Sequence, residues 1–226
     1  MKSNLSDHSL VRAILPFGLL MLLLAAASPA SQILRYREQT GASSFTFLWR
    51  SEQDRSGVTI IQDQGDETYS SVCTPEGTTL SWRYLRPPDT DVRAERIGDR
   101  IQLSGRLAGK AINQSRTIDS RPWFQPLSFS LQRMVARNAQ TATFWTIRPD
   151  TLEIIAMQAK QSGREQLPAG EASQAADKVV IRLDGLLSGV WHADYWFRQS
   201  DNLFVAYRGT HGPPGTAETS IRLLTP

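Results

Sequence analysis

Three histidines and one cysteine are all that this chain offers for metal or nucleophilic chemistry. His192-Ala193-Asp194 sets an imidazole and a carboxylate two residues apart, on one face of a strand, and His211 follows from a neighbouring segment. A zinc site usually shows a close histidine pair or a cysteine cluster, and neither accompanies this set, so no metal and no cofactor is expected. His192 reads instead as a polar residue on a strand edge. Ser70-Ser71-Val72-Cys73-Thr74 reads as an ordinary strand, with the thiol a small hydrophobe rather than a nucleophile paired with His192. No Gly-x-Ser-x-Gly elbow occurs. The run Gly212-Pro213-Pro214-Gly215 cannot cradle phosphate, because its prolines lack the backbone donors such loops supply. No catalytic residue is predicted, and the chain reads as no enzyme. A hydrolase or metal enzyme built on His192 and Asp194 is the catalytic alternative.

Aromatic side chains carry more information. In Val190-Trp191-His192-Ala193-Asp194-Tyr195-Trp196-Phe197-Arg198, alternation puts Ala193, Tyr195 and Phe197 on one face and Asp194, Trp196 and Arg198 on the other. Aromatics thus fall on both faces. Such a strand is part of a packed core hairpin, is covered on its outside by a helix, or borders a cavity in a curved sheet. Trp123 and Phe124 lie between Pro122 and Pro126, where they either staple a helix to the sheet or stand at the mouth of a hollow. The candidate ligand-binding residues are Trp123, Phe124, Trp145, Trp191, Trp196 and Phe197, a lining suited to an apolar ligand.

The elements that must position these residues are mostly strands. Phe45, Phe47 and Trp49 alternate with Ser44, Thr46 and Arg50, and the same period joins Leu80, Trp82 and Tyr84, then Ile101 with Leu103, Val179 with Ile181 and Leu183, and Leu203 with Val205 and Tyr207. Turn residues separate these runs at Asp54 to Gly57, Gln64 to Asp66, Pro75 to Gly77, Gly98-Asp99, Ala108 to Lys110 and Ser200 to Asn202. One helix is expected after Pro126, with Leu127, Leu131, Met134 and Val135 on a shared face and Arg137-Asn138 at its end. Gln166 to Lys178 has little strand character and is expected to be a loop. The fold class is therefore mostly β: a curved antiparallel sheet, or half-open barrel, with one main helix packed across it.

Lys2 and Arg12 precede an apolar run centred on Leu19 to Leu24, and Ser28-Pro29-Ala30 closes it with small residues. This predicts a secretory signal peptide over residues 1–30, cleaved near Ala30, followed by one domain over residues 31–226. The alternative is an uncleaved anchor, since the uncharged stretch nearly reaches the ~20 residues a membrane helix needs. The only cysteine is Cys73, so no lipid-attachment cysteine follows the apolar run. Across the chain, 25 Lys and Arg oppose 22 Asp and Glu, scattered rather than blocked, which gives no support for nucleic-acid binding.

The layout of apolar leader, strand meander, single helix after Pro122-Trp123-Phe124, and closing Tyr195-Trp196-Phe197, Phe204-Val205-Ala206-Tyr207-Arg208-Gly209 and Gly212-Pro213-Pro214-Gly215-Thr216 resembles uncharacterised envelope proteins of Gram-negative bacteria. Their shape is similar to the half-open β-barrels of the lipoprotein carriers LolA and LolB. The resemblance implies an apolar hollow under a helical lid. The expected function is non-catalytic binding of a lipid, an acyl chain or an envelope component in a periplasmic or secreted protein. The alternative is an assembly protein with a filled core, acting through contacts with an envelope protein partner.

Overall fold

The computed structural model describes residues 30–169, 172–185, 188–210 and 216–225. The expected signal peptide up to residue 29, together with His211 and Gly212 to Gly215, lies outside them. Strands β1 to β8 come first: Ala30–Thr40, Ser43–Gln53, Val58–Gln64, Glu67–Cys73, Thr79–Arg86, Thr90–Ile97, Arg100–Leu107 and Lys110–Thr117. Helix α1 (Leu127–Ala136) follows, then β9 to β14: Thr141–Ile147, Ile154–Ala169, Ala172–Leu183, His192–Arg198, Phe204–Thr210 and Glu218–Thr225. All fourteen form one sheet in the order β8-β7-β6-β5-β4-β3-β2-β1-β14-β13-β12-β11-β10-β9, antiparallel at every step. From β1 in mid-sheet the described residues wind out to the β8 edge, cross through α1 to the β9 edge, and wind back until β14 meets β1.

The edges β8 and β9 do not pair with each other, so the barrel stays half open. How it rolls follows from β9. Phe144 packs in the cluster that holds the helix, whereas its neighbour Trp145 packs with Trp82, Ile101 and Leu103 from β5 and β7. Adjacent residues of a strand point to opposite faces, so β9 is buried on both. The back of β9 and of the start of β10 therefore lies against the inner face of β5 to β8, and the sheet overlaps itself like a scroll. Side chains reach across the overlap: Arg116 donates to the Ile154 carbonyl at 2.6 Å and Gln114 to that of Leu152 at 3.5 Å.

The helix obeys the sequence period, burying Phe129, Ser130, Leu131, Met134 and Val135. It stops where Asn138 takes a left-handed φ of 56°, which lets its N–H meet the Val135 carbonyl and that of Ala139 the Met134 carbonyl. Ser130 Oγ donates to the Gly77 carbonyl at 2.7 Å, tying the helix to the β4–β5 turn.

The expected loop over Gln166 to Lys178 is instead strand. Leu167 pairs with Gln174, Gln166 with Ala175 and Glu165 with Ala176, so β10 and β11 make a long two-stranded ribbon up to residues 169 and 172. Its residues are largely exposed on both faces. Among the described residues of 163–178 only Ala176 is buried, and a ribbon held chiefly by backbone pairing has no reason to show apolar alternation, which is why the pattern misses it.

Gly105 in β7 tests how tightly adjacent strands are set. It has a φ of +117°, and a Cβ there would stand 2.0 Å from the Asp91 carbonyl oxygen in β6. Gly105→Ala should lower stability by about 2–3 kcal/mol in urea unfolding. A loss below about 0.5 kcal/mol would mean that β6 and β7 can move apart freely.

Candidate functional site

The candidate aromatics are all placed, and the fold distributes them over three clusters. Trp123 and Trp145 belong to the overlap between β5–β8 and β9–β10. Phe124 and Phe197 belong to the main interior with the helix, and the half-buried Trp191 packs against it. Trp196 lies on the opposite face of β12, buried with Ala176 and Val205. The predicted alternation of β12 is observed: Ala193, Tyr195 and Phe197 face inward, and Trp196 faces out.

The seam is built around Trp123 and Trp145. Residues 122–124 run parallel along the free edge of β9: Trp145 N–H donates to the Pro122 carbonyl and Phe124 N–H to the Trp145 carbonyl, both at 2.8 Å. On its other side the Trp123 carbonyl accepts the Thr79 N–H at 2.7 Å, which fastens this strap to β5. Trp123 is fully buried, and its indole N–H donates to Gln125 Oε1 at 3.0 Å. Gln125 in turn donates to the Ile147 carbonyl and accepts the Ile147 N–H. Trp145 donates to Asp119 Oδ1 at 2.9 Å, and its ring lies under two guanidinium groups, Arg121 at 4.5 Å and Arg116 at 5.4 Å. Arg121 also pairs with Asp119 and Asp184. The hydrogen bonds from Arg121 and Trp145 hold the Asp119 carboxyl well below the usual carboxylate range.

Trp196 is capped from outside by the β10–β11 ribbon. Its indole N–H donates to Glu165 Oε2 at 2.9 Å, and Lys178 Nζ sits 5.1 Å from its ring while pairing with Glu165 and Asp194. Asp194 is thus engaged by a lysine, and His192 is exposed opposite Arg182 on the neighbouring strand. Cys73 is fully buried against Thr79, and burial pushes its thiol up to about 11. A thiol so held stays protonated at neutral pH and is a poor nucleophile.

Helix α1 occupies the inside of the curve. Phe129, Leu131, Met134 and Val135 pack with Leu34, Trp49, Val58, Phe144, Phe204 and their neighbours in one continuous interior. Two open grooves border this body. One, of about 470 Å³, lies on β10 and β11 and is lined by Gln158, Lys160, Gln161, Ser162, Val180 and Arg182. The other, of about 170 Å³, lies where α1 meets the start of β1, the end of β2 and the start of β3, with Phe129, Gln132 and Arg133 on the helix side. Arg133 escapes an aromatic-based search of the sequence. The signal that reveals it is helical spacing, which sets an arginine one turn after Phe129 beside the apolar stripe.

No protein-family model matches this chain, and no curated protein does. Among solved structures, the fold is similar to the crystal structure of a β-barrel-like protein of domain of unknown function DUF1849 from Brucella abortus, with a TM-score of 0.57 at 10% identity, covering 88% of this chain and 96% of that one. An outer membrane lipoprotein-sorting protein domain from Vibrio parahaemolyticus matches over 88% of this chain and 84% of its own at 8% identity, with a TM-score of 0.27, too low to bear argument. The half-open barrel implied by the sequence resemblance is the fold of this chain.

The seam makes a pH prediction. A carboxylate whose folded pKa is depressed stabilises the fold above its unfolded value and loses that contribution as pH falls. Wild type and Asp119→Asn should therefore differ most in Tm near neutral pH and converge as pH drops below about 4. A gap that stays constant into acid would assign the effect to hydrogen-bond geometry rather than to charge.

Proposed function

We propose that this protein is a non-catalytic binding protein of the bacterial periplasm, and that its half-open barrel takes up an apolar chain, a lipid or an acyl group, with helix α1 as the lid. The observation that carries this reading is that the apolar face of α1 fills the inside of an unclosed sheet. That face is held by non-directional apolar contact, together with the Ser130–Gly77 hydrogen bond. Another apolar surface can take its place at little net cost. Covering a chain returns ~25 cal/mol per Å², the same coefficient that governs exposing the helix face. Phe124 and Phe197, with Trp191 at their border, are then the binding residues that stay with the barrel when the lid shifts. Trp123 and Trp145 keep the seam closed. Trp196 braces the outside.

One observation favours a second reading. Side chains of the chain itself occupy the interior, as in an assembly protein with a filled core that works through an envelope protein partner.

Titration with a dibrominated stearate separates the two. Bromine quenches indole fluorescence at short range, and Trp49 lies in the interior with the helix. Saturable quenching, reduced in Trp49→Phe, with one acyl chain retained in native mass spectrometry, is the expected result. Absence of quenching, together with a stable protein partner recovered from envelope extract, would replace the carrier reading with the assembly one.

A further inference from the structure

The groove between α1 and the strands is built around a cation without a counter-ion. Arg133 projects from the helix over the ring of Phe129, 4.8 Å from its centroid. Its Nε is shut off from solvent and meets no acceptor. Among the described residues no carboxylate forms an ion pair with it, whereas Arg121 and Arg148 each pair with two carboxylates and Arg198 with one. Burial lowers its basicity, Arg137 adds repulsion, and Glu76 opposes both only in part. A buried guanidinium donor left unmatched is costly, and the cost is recovered when a planar anion arrives.

The walls suit such an anion at one end and a hydrocarbon at the other. Ser51, Gln53 and Gln132 supply hydroxyl and amide donors, and Trp49, Val58 and Phe129 supply apolar surface. The volume, about 170 Å³, is below the roughly 300–1,000 Å³ of sites that enclose a whole ligand. It has room for a headgroup and the first few methylenes. The apolar residues that continue from it, Trp49, Val58 and Phe129, belong to the same interior cluster as the buried face of the helix.

We propose that this groove is a carboxylate-binding site in which Arg133 holds the anion, so that the ligand of the barrel is an amphiphile with an acidic head rather than a neutral lipid. The proposal rests on the carrier reading for the tail and on Arg133 alone for the head. The carboxylate could belong to a long-chain fatty acid or to a short free acid, and the experiment separates these sources.

The test compares dodecanoate, dodecanol and butyrate by calorimetry on wild type and on Arg133→Gln, and follows the Arg133 Nε–Hε resonance of the wild type by NMR. Dodecanoate should bind wild type about tenfold or more tightly than dodecanol, the gain of a charge-assisted hydrogen bond. Arg133→Gln should erase that preference by weakening dodecanoate at least about tenfold more than dodecanol, while dodecanoate shifts the Arg133 resonance of the wild type. Equal affinity of wild type for dodecanoate and dodecanol, without a resonance shift, would overturn the carboxylate site and leave the carrier reading standing. Butyrate binding with a resonance shift, when neither twelve-carbon compound binds, would uphold the site and end the carrier reading. Failure of all three would end both. Should Arg133→Gln not fold, the wild-type resonance and affinity ratio decide.

Discussion

The structure depends on covering both faces and the free edge of β9. A sheet that ends in an open strand presents a row of unpaired backbone groups, which other chains can join. Here the strap at residues 122–124 satisfies part of that row from one side, while Phe144 and Trp145 anchor the strand in two separate hydrophobic clusters. The arrangement shields part of the β9 edge without closing a barrel. It also fixes the place of the helix, because the strap leads directly into α1 and sets where that element enters the curve.

Charge on the outer surface follows the strands. Several arginines that look scattered in sequence are cross-strand partners: Arg83 grips Asp91 with two hydrogen bonds, Arg86 reaches Glu67, and Arg164 reaches Asp177. Each such exposed pair contributes only ~0–1 kcal/mol, so the surface sets register and solubility more than stability. Stability comes from the interior and from the overlap. In the overlap, Tyr69 stacks on Tyr84 at 4.7 Å and Trp82 packs beside both. Against this background Arg133 stands out, since its Nε is buried over the Phe129 ring and no carboxylate among the described residues forms an ion pair with it.

Period-two alternation made the strands around Phe47, Trp82, Ile101 and Ile181 legible, because each buries one side against the core. It also matched the faces of β12, but it grouped Val205 with Leu203 and Tyr207, and Leu80 with Trp82. Val205 instead packs with Trp196 on the opposite face and Leu80 is exposed, since irregular register beside β12 and β4 breaks the alternation. The helix was legible through Leu131, Met134 and Val135 for the same reason. The ribbon of β10 and β11 was not, since strands exposed on both sides leave no apolar trace. Nor could sequence say that Trp123 and Trp145 share a seam while Trp196 lies on the far side of the sheet. Each is an indole beside another aromatic residue in sequence, Phe124, Phe144 or the pair Tyr195 and Phe197, and only the scroll, a long-range property of how the edges overlap, separates their roles. The groove at Arg133 joins a helix to strands some eighty residues earlier, a proximity no local pattern encodes.

The pairing of β1 with β14 sets the order in which this fold can be completed. The first strand and the last are neighbours in the middle of the sheet, joined by contacts such as Glu38 with Ile221 and Thr40 with Thr219. Strands β1 to β8 can form hairpins as soon as each is made, but the central join must wait for residues at the far end of the polypeptide. Contacts of such high sequence separation slow the search for the native state. The halves β1 to β8 and β9 to β14 can each pair locally, but the sheet becomes continuous only through contacts that span almost the whole described sequence.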